Sequence, residues 1–112
     1  MNIDVQTTAD FDRAFRRLAK RHRSLPQDLN QFVAGLRTQS ISGTEIAPDV
    51  YKYRMGIRSK QSGKSGGARI ITYEVVMAQR DKTITLLTIY DKSDQSSISQ
   101  SEIDDLRHRA GL

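Results

Sequence analysis

Cysteine and tryptophan are absent from this 112-residue chain, and proline occurs only twice. Without cysteine, neither disulfides nor thiolate metal sites are available. Aromatic residues make up 6% and apolar residues 37% of the sequence, so the chain can fill one modest core and is expected to form one domain, residues 1–112. No apolar run is long enough to span a bilayer, and the opening MNIDVQTTADFDR has none of signal-peptide length. A cytoplasmic protein with no membrane role is therefore expected. Internal repeats, Pro-rich stretches and acidic tails are also missing. The most informative absence is local: from Val50 to Tyr73, VYKYRMGIRSKQSGKSGGARIITY, there is no Asp or Glu.

That stretch instead carries Lys52, Arg54, Arg58, Lys60, Lys64 and Arg69. Val50–Met55 alternates cationic and less polar residues, and Ala68–Val76 is rich in β-branched residues, so both ends read as strands. Gly56–Gly67 contains four glycines and reads as an open loop. Six cations on two strands and a loop make a cage for phosphate. An ordinary solvated face would interleave acids among them. The whole chain agrees in sign, with net charge +5 and a pI near 9.8, which favours a nucleic acid or an acidic protein as partner.

The remaining elements follow from periodicity. Asn2–Gln6 reads as a first strand. Thr7 or Thr8 can cap a helix in which Phe11, Ala14, Phe15, Leu18 and Ala19 form one apolar face, with Arg13, Arg16, Arg17, Lys20 and Arg21 outside it. Ser24 and Gln27 match a capping box for a second helix, with Leu25, Leu29, Phe32, Val33 and Leu36 on one face and Gly35 as a weak point. His22, at the turn between the two helices, is expected at the surface. Thr38–Asp49 reads as loop. Ala68–Met77 and Thr83–Tyr90 form a hairpin about a turn at Arg80–Lys82. Ser99 with Glu102, and Ile98 with Ile103, mark the start of a last helix from about Gln100 to Arg109.

The order β-α-α-β-β-β-α predicts an α+β domain. It should comprise a small twisted, mostly antiparallel sheet, an N-terminal helical hairpin on one face, and a short C-terminal helix, with the other face partly bare. On strands, Lys52 and Arg54 share a face, as do Arg69, Ile71 and Tyr73, and Thr88, Tyr90 and Lys92. If these sets face one way, four cations and two phenols converge to hold a phosphodiester and stack exposed bases. The acids are scattered and the two histidines lie far apart, so neither a metal nor a cofactor is expected.

The two N-terminal helices, VYKYRMGIRSK, GKSGGARIITY, and LLTIYDKSD followed by ISQSEIDDL resemble the RelE/HigB-type toxins of bacterial toxin–antitoxin modules. The resemblance covers most of the chain. It implies a microbial-ribonuclease-like sheet and ribosome-dependent cleavage of mRNA that halts translation. Carried over residue by residue, it assigns catalysis to Lys52, Arg54, Arg69 and Lys92. Arg58, Lys60 and Lys64 would hold RNA backbone, and Tyr73 and Tyr90 would contact RNA by stacking or hydrogen bonds, although sheet tyrosines are more commonly buried in the core. Some members place a catalytic Tyr or His in the C-terminal segment. Ile98 or a neighbour stands near the Tyr position here and only His108 lies beyond, so the general acid and base stay open. The implied partners are a cognate, DNA-binding, HigA-like antitoxin, the ribosome with its mRNA, and operator DNA through the antitoxin alone. Two other readings stay open: a ParE-like gyrase poison, and a non-catalytic nucleic-acid-binding module using the basic helix Arg13–Arg23.

Overall fold

Strand β1 (Asn2–Thr7) leads into Thr8, whose hydroxyl accepts from Phe11 N at 3.0 Å and caps α1 (Ala9–Ala19). The same hydroxyl donates toward the carbonyls of Leu86 and Leu87, which ties the helix start to the sheet. The computed structural model describes residues 2–60 and 66–112. Within them α2 is Leu25–Thr38, β2 Thr44–Ala47, β3 Val50–Met55, β4 Ala68–Ala78, β5 Asp81–Asp91 and α3 Gln100–Arg109, with a 3-10 turn at Arg58–Lys60.

The apolar faces of α1 and α2 pack together on one side of the sheet. Phe11, Leu18, Leu25, Phe32 and Leu36 meet Tyr53, Met55, Ile70, Ile84, Leu86 and Ile89 there. Phe32 sets its ring edge-on to Tyr53 at 5.3 Å between centroids. Truncating a ring so placed costs about 3–5 kcal/mol. Gly35 is no weak point. A Cβ there would lie 3.2 Å from three atoms of Ile41, so the missing side chain lets the following segment close over α2.

The sheet order is β1-β5-β4-β3-β2, with β1 parallel to β5 and every other pair antiparallel. β2 lies within the segment expected to be loop. It is a four-residue edge strand whose pairing with β3 is irregular between Glu45 and Ala47, and Asp49 turns it into β3 with φ 62°. The β4–β5 turn falls at Gln79–Arg80, one residue earlier than the expected Arg80–Lys82. Ser24 does not form the expected capping box. Its backbone is helical, and its hydroxyl donates to Asp28 Oδ2 at 2.7 Å while accepting from Ser59 N at 2.8 Å. A tertiary contact with the 3-10 turn thus replaces a local cap.

The opposite face is covered in part by α3. Ile103 and Leu106 pack on Val50, Ile71, Leu87 and Tyr90, and Ile98 and Tyr73 adjoin them. A register shift between Ile71 and Thr72 leaves Leu87 as the extra residue on β5, which brings it to this side. The capping box of α3 forms as expected: Ser99 Oγ accepts from Glu102 N at 3.1 Å, and Glu102 Oε1 accepts from Ser99 N at 3.3 Å. Among the described residues no helix is long and apolar enough to cross a membrane.

Candidate active site

Strand register sets the geometry of the site. Arg54 of β3 is the partner of Arg69 on β4, and Arg69 is the partner of Tyr90 on β5. One row along, Lys52 pairs with Ile71 and Ile71 with Thr88. One row the other way, Lys92 N donates to Gly67 O at 3.1 Å and extends the ladder past β5. Rows on one face are about 7 Å apart and neighbouring strands about 4.8 Å, so the four cations start from a patch roughly 15 Å long. By the strand alternation this is the α3 side of the sheet, where Ile71 and Tyr90 pack. α3 covers its apolar part.

Like charges directly opposed across a sheet destabilise it. The Arg54–Arg69 pair is such an opposition, on the α3 face of the sheet. Arg69 is only 3% exposed, and its guanidinium donates to the Ala68 carbonyl at 3.2 Å. Arg54 and Arg58 are exposed and border a cleft of about 330 Å³ with Asp28, Phe32 and Met55, beyond the end of β2. Lys52 is half-buried and Lys92 exposed.

The two tyrosines are less open than stacking requires. Arg107 of α3 lies over the Tyr73 ring, 4.6 Å from its centroid. Tyr90 is 7% exposed, and its hydroxyl has no hydrogen-bond partner among the described residues. Burial pushes the Tyr90 phenol up, the Arg69 charge opposes that, and Glu102 of α3 adds to it, so the group stays a protonated donor at neutral pH. Its available contribution is a hydrogen bond rather than a stacking face.

Lys60 belongs to a different constellation. Its Nζ lies 2.6 Å from Asp91 Oδ1 and 3.1 Å from Ser93 Oγ. Asp91 is 1% exposed and also accepts from Ser93 N at 2.9 Å and Ser93 Oγ at 2.7 Å. His22 Nε2 stands 2.9 Å from its other oxygen, and Arg21 Nη2 3.6 Å. Burial disfavours the Asp91 charge, but the bonds from Lys60, Ser93 and His22 outweigh it and hold the carboxyl well below the usual carboxylate range. His22 is thus drawn inward, contrary to the surface position expected of it. Asp91 is the residue that sequence reasoning missed. The available signal was its place two residues after Ile89, on the strand face that packs under the helices. Lys64 lies outside the described residues.

A second buried carboxylate, Glu74, accepts from Tyr53 Oη at 2.6 Å and Thr72 Oγ1 at 2.7 Å and pairs with Lys82 at 2.8 Å. It lies under the helical hairpin and away from the cationic rows. Among the described residues no group of three or more His, Asp or Glu side chains is arranged to hold a metal.

The model of the RelE toxin of the RelE/RelB toxin–antitoxin system matches residues 11–112. The chain belongs to the RelE toxin family. The α+β architecture of the described residues, three helices and a five-stranded mixed sheet, agrees with that membership. This RelE-family protein is therefore a toxin of a toxin–antitoxin system, with a cognate antitoxin as partner. A search of curated proteins returned no match.

Proposed function

We propose that this toxin is a ribosome-dependent mRNA endoribonuclease acting through the cationic rows of the sheet. The observation that carries the reading is the opposition of Arg54 and Arg69 in register, with Lys52 and Lys92 in the flanking rows. In the reaction a ribose 2′-oxygen attacks the adjacent phosphorus. The new O–P bond forms as the P–O5′ bond breaks, which leaves a cyclic phosphate on one fragment and a 5′-hydroxyl on the other. The 2′-proton leaves to a base, and the departing 5′-oxygen takes one up.

Charge builds on the non-bridging oxygens, where fixed cations lower the barrier most. Arg69, held by the Ala68 carbonyl, supplies a planar guanidinium for those oxygens. Lys52 and Arg54 position the 2′-hydroxyl and assist its deprotonation. Lys92 stabilises the leaving oxygen, and the Tyr90 hydroxyl supplies a further donor. Arg58, Lys60 and Lys64 hold the RNA backbone, Lys60 while remaining bonded to Asp91. Catalysis takes place in the cytoplasm, on mRNA in the ribosomal A site. The antitoxin carries the DNA-binding function and links the pair to its operator.

The test is expression of the wild type, Arg69→Ala and Lys52→Ala with growth and protein synthesis followed. Wild type should stop protein synthesis within minutes. Both variants should lose growth arrest while keeping the wild-type circular dichroism spectrum. Full toxicity of both, or a DNA-damage response with translation intact, refutes the assignment.

A further inference from the structure

The outer face of α1 is a second cationic surface, and the cleavage site does not use it. On a helix, Arg13, Arg16, Arg17 and Lys20 fall on the side opposite Phe11, Phe15 and Leu18, and all four are exposed. Phe11 and Leu18 bury themselves against the sheet face that carries Ile84, Leu86 and Ile89. The cations of α1 therefore point away from the sheet, whereas Lys52, Arg54 and Arg69 belong to its other side. A single strand of RNA cannot lie across both.

The α1 charges are largely unneutralised. Arg13 pairs with Asp10, and Arg21 with Asp94. Arg16, Arg17, Lys20 and Arg23 have no ion pair among the described residues. Arg13–Arg17 and, reaching the C-cap, Arg16–Lys20 are like-charge neighbours at i, i+4, a spacing that destabilises a helix. Arg13 to Lys20 spans about 10 Å along the axis. A convex helix bearing a ridge of that length suits the phosphate backbone of an RNA duplex, which is recognised through shape and phosphates rather than base edges. The predominance of arginine, with its planar fork, favours phosphate over the carboxylates of an acidic protein surface.

We infer that the outer face of α1 is a docking surface for double-helical RNA, separate from the cleavage site on the opposite side of the sheet. The inference rests on the reading that the toxin works on RNA in a large assembly, where one face grips structured RNA while the other takes a single strand. The test uses the full chain and a blunt RNA duplex of about 20 base pairs, followed by fluorescence anisotropy over about 50–200 mM salt. The variants are the triple substitution Arg16→Gln, Arg17→Gln, Lys20→Gln and, separately, Arg80→Gln, an exposed cation of the β4–β5 turn that belongs to neither surface. Wild type and Arg80→Gln should bind alike. The triple variant should bind at least about tenfold more weakly at low salt, with a log–log salt slope shallower by about three, one for each lost phosphate contact. Equal affinity and slope in the triple variant would overturn the inference. So would failure of the wild type to bind the duplex, with or without binding of polyglutamate through the same three residues. Neither outcome depends on cleavage, so the docking surface and the nuclease can fail independently.

Discussion

Asp91→Asn removes one charge from a carboxylate with no exposed side-chain surface. The amide oxygen can still accept hydrogen bonds, but the contact from Lys60 at 2.6 Å loses its ionic character. Charge-assisted bonds contribute about 1.5–3 kcal/mol against about 1 for a neutral one. The two bonds from Ser93 weaken as well, since a charged acceptor roughly doubles their strength. The combined cost is about 3 kcal/mol, near the lower end of what breaking a buried ion pair removes. Unfolding entropy of about 2.1 cal/mol/K per residue converts that into a fall in Tm of about 12 °C for a chain of this length. The effect also has a pH signature. The folded-state pKa of Asp91 is lowered, so its stabilisation is present above the ordinary carboxylate range near 3.8 and is lost as pH falls toward the folded value. Melting followed by circular dichroism at pH 7 should show the full gap between wild type and variant. The gap should narrow steadily from about pH 4 downward. A gap below about 3 °C at pH 7, or one that stays constant on acidification, would refute the reasoning.

Three further outcomes follow from the same contacts. Tyr53→Phe removes the phenol that donates to Glu74 at 2.6 Å, and it should cost about 1–3 kcal/mol in urea unfolding, because Thr72 and Lys82 remain to satisfy the carboxylate. Ser99→Ala removes the α3 capping box and should cost about 1 kcal/mol, with amide exchange accelerated chiefly in Gln100–Arg109. Arg69→Ala should abolish growth arrest at unchanged secondary structure, and a variant that still arrests growth would detach that residue from the chemistry.

Both helices of the hairpin, β3, β5 within two residues and α3 were legible because each carries its own pattern: an apolar stripe, a β-branched run, or a cap with its staple. Strand β2 was not. TEIA is four residues beside Pro48, and its pairing depends on the neighbour β3 rather than on its own composition. The Ser24–Gln27 spacing misled for a related reason, since the Ser24 hydroxyl is claimed by Asp28 and by Ser59, 35 residues away. The shared sheet face of Lys52, Arg54 and Arg69 could be read from strand alternation alone. The surroundings of Lys60 could not. Its partner Asp91 lies 31 residues on and His22 lies 69 residues before that, so no local spacing connects them. The placement of α3 over Tyr73 and Tyr90 was also hidden. Helical periodicity gives the apolar face of a helix but not the surface that receives it.

Most direct for the central claim, that opposed cations on the sheet cleave mRNA, is mapping of mRNA 5′ ends after brief induction of wild type and of Arg69→Ala. New 5′-hydroxyl ends inside translated regions should appear with the wild type and be absent with the variant. Their absence from the wild type, or the same set of ends from Arg69→Ala, would contradict it.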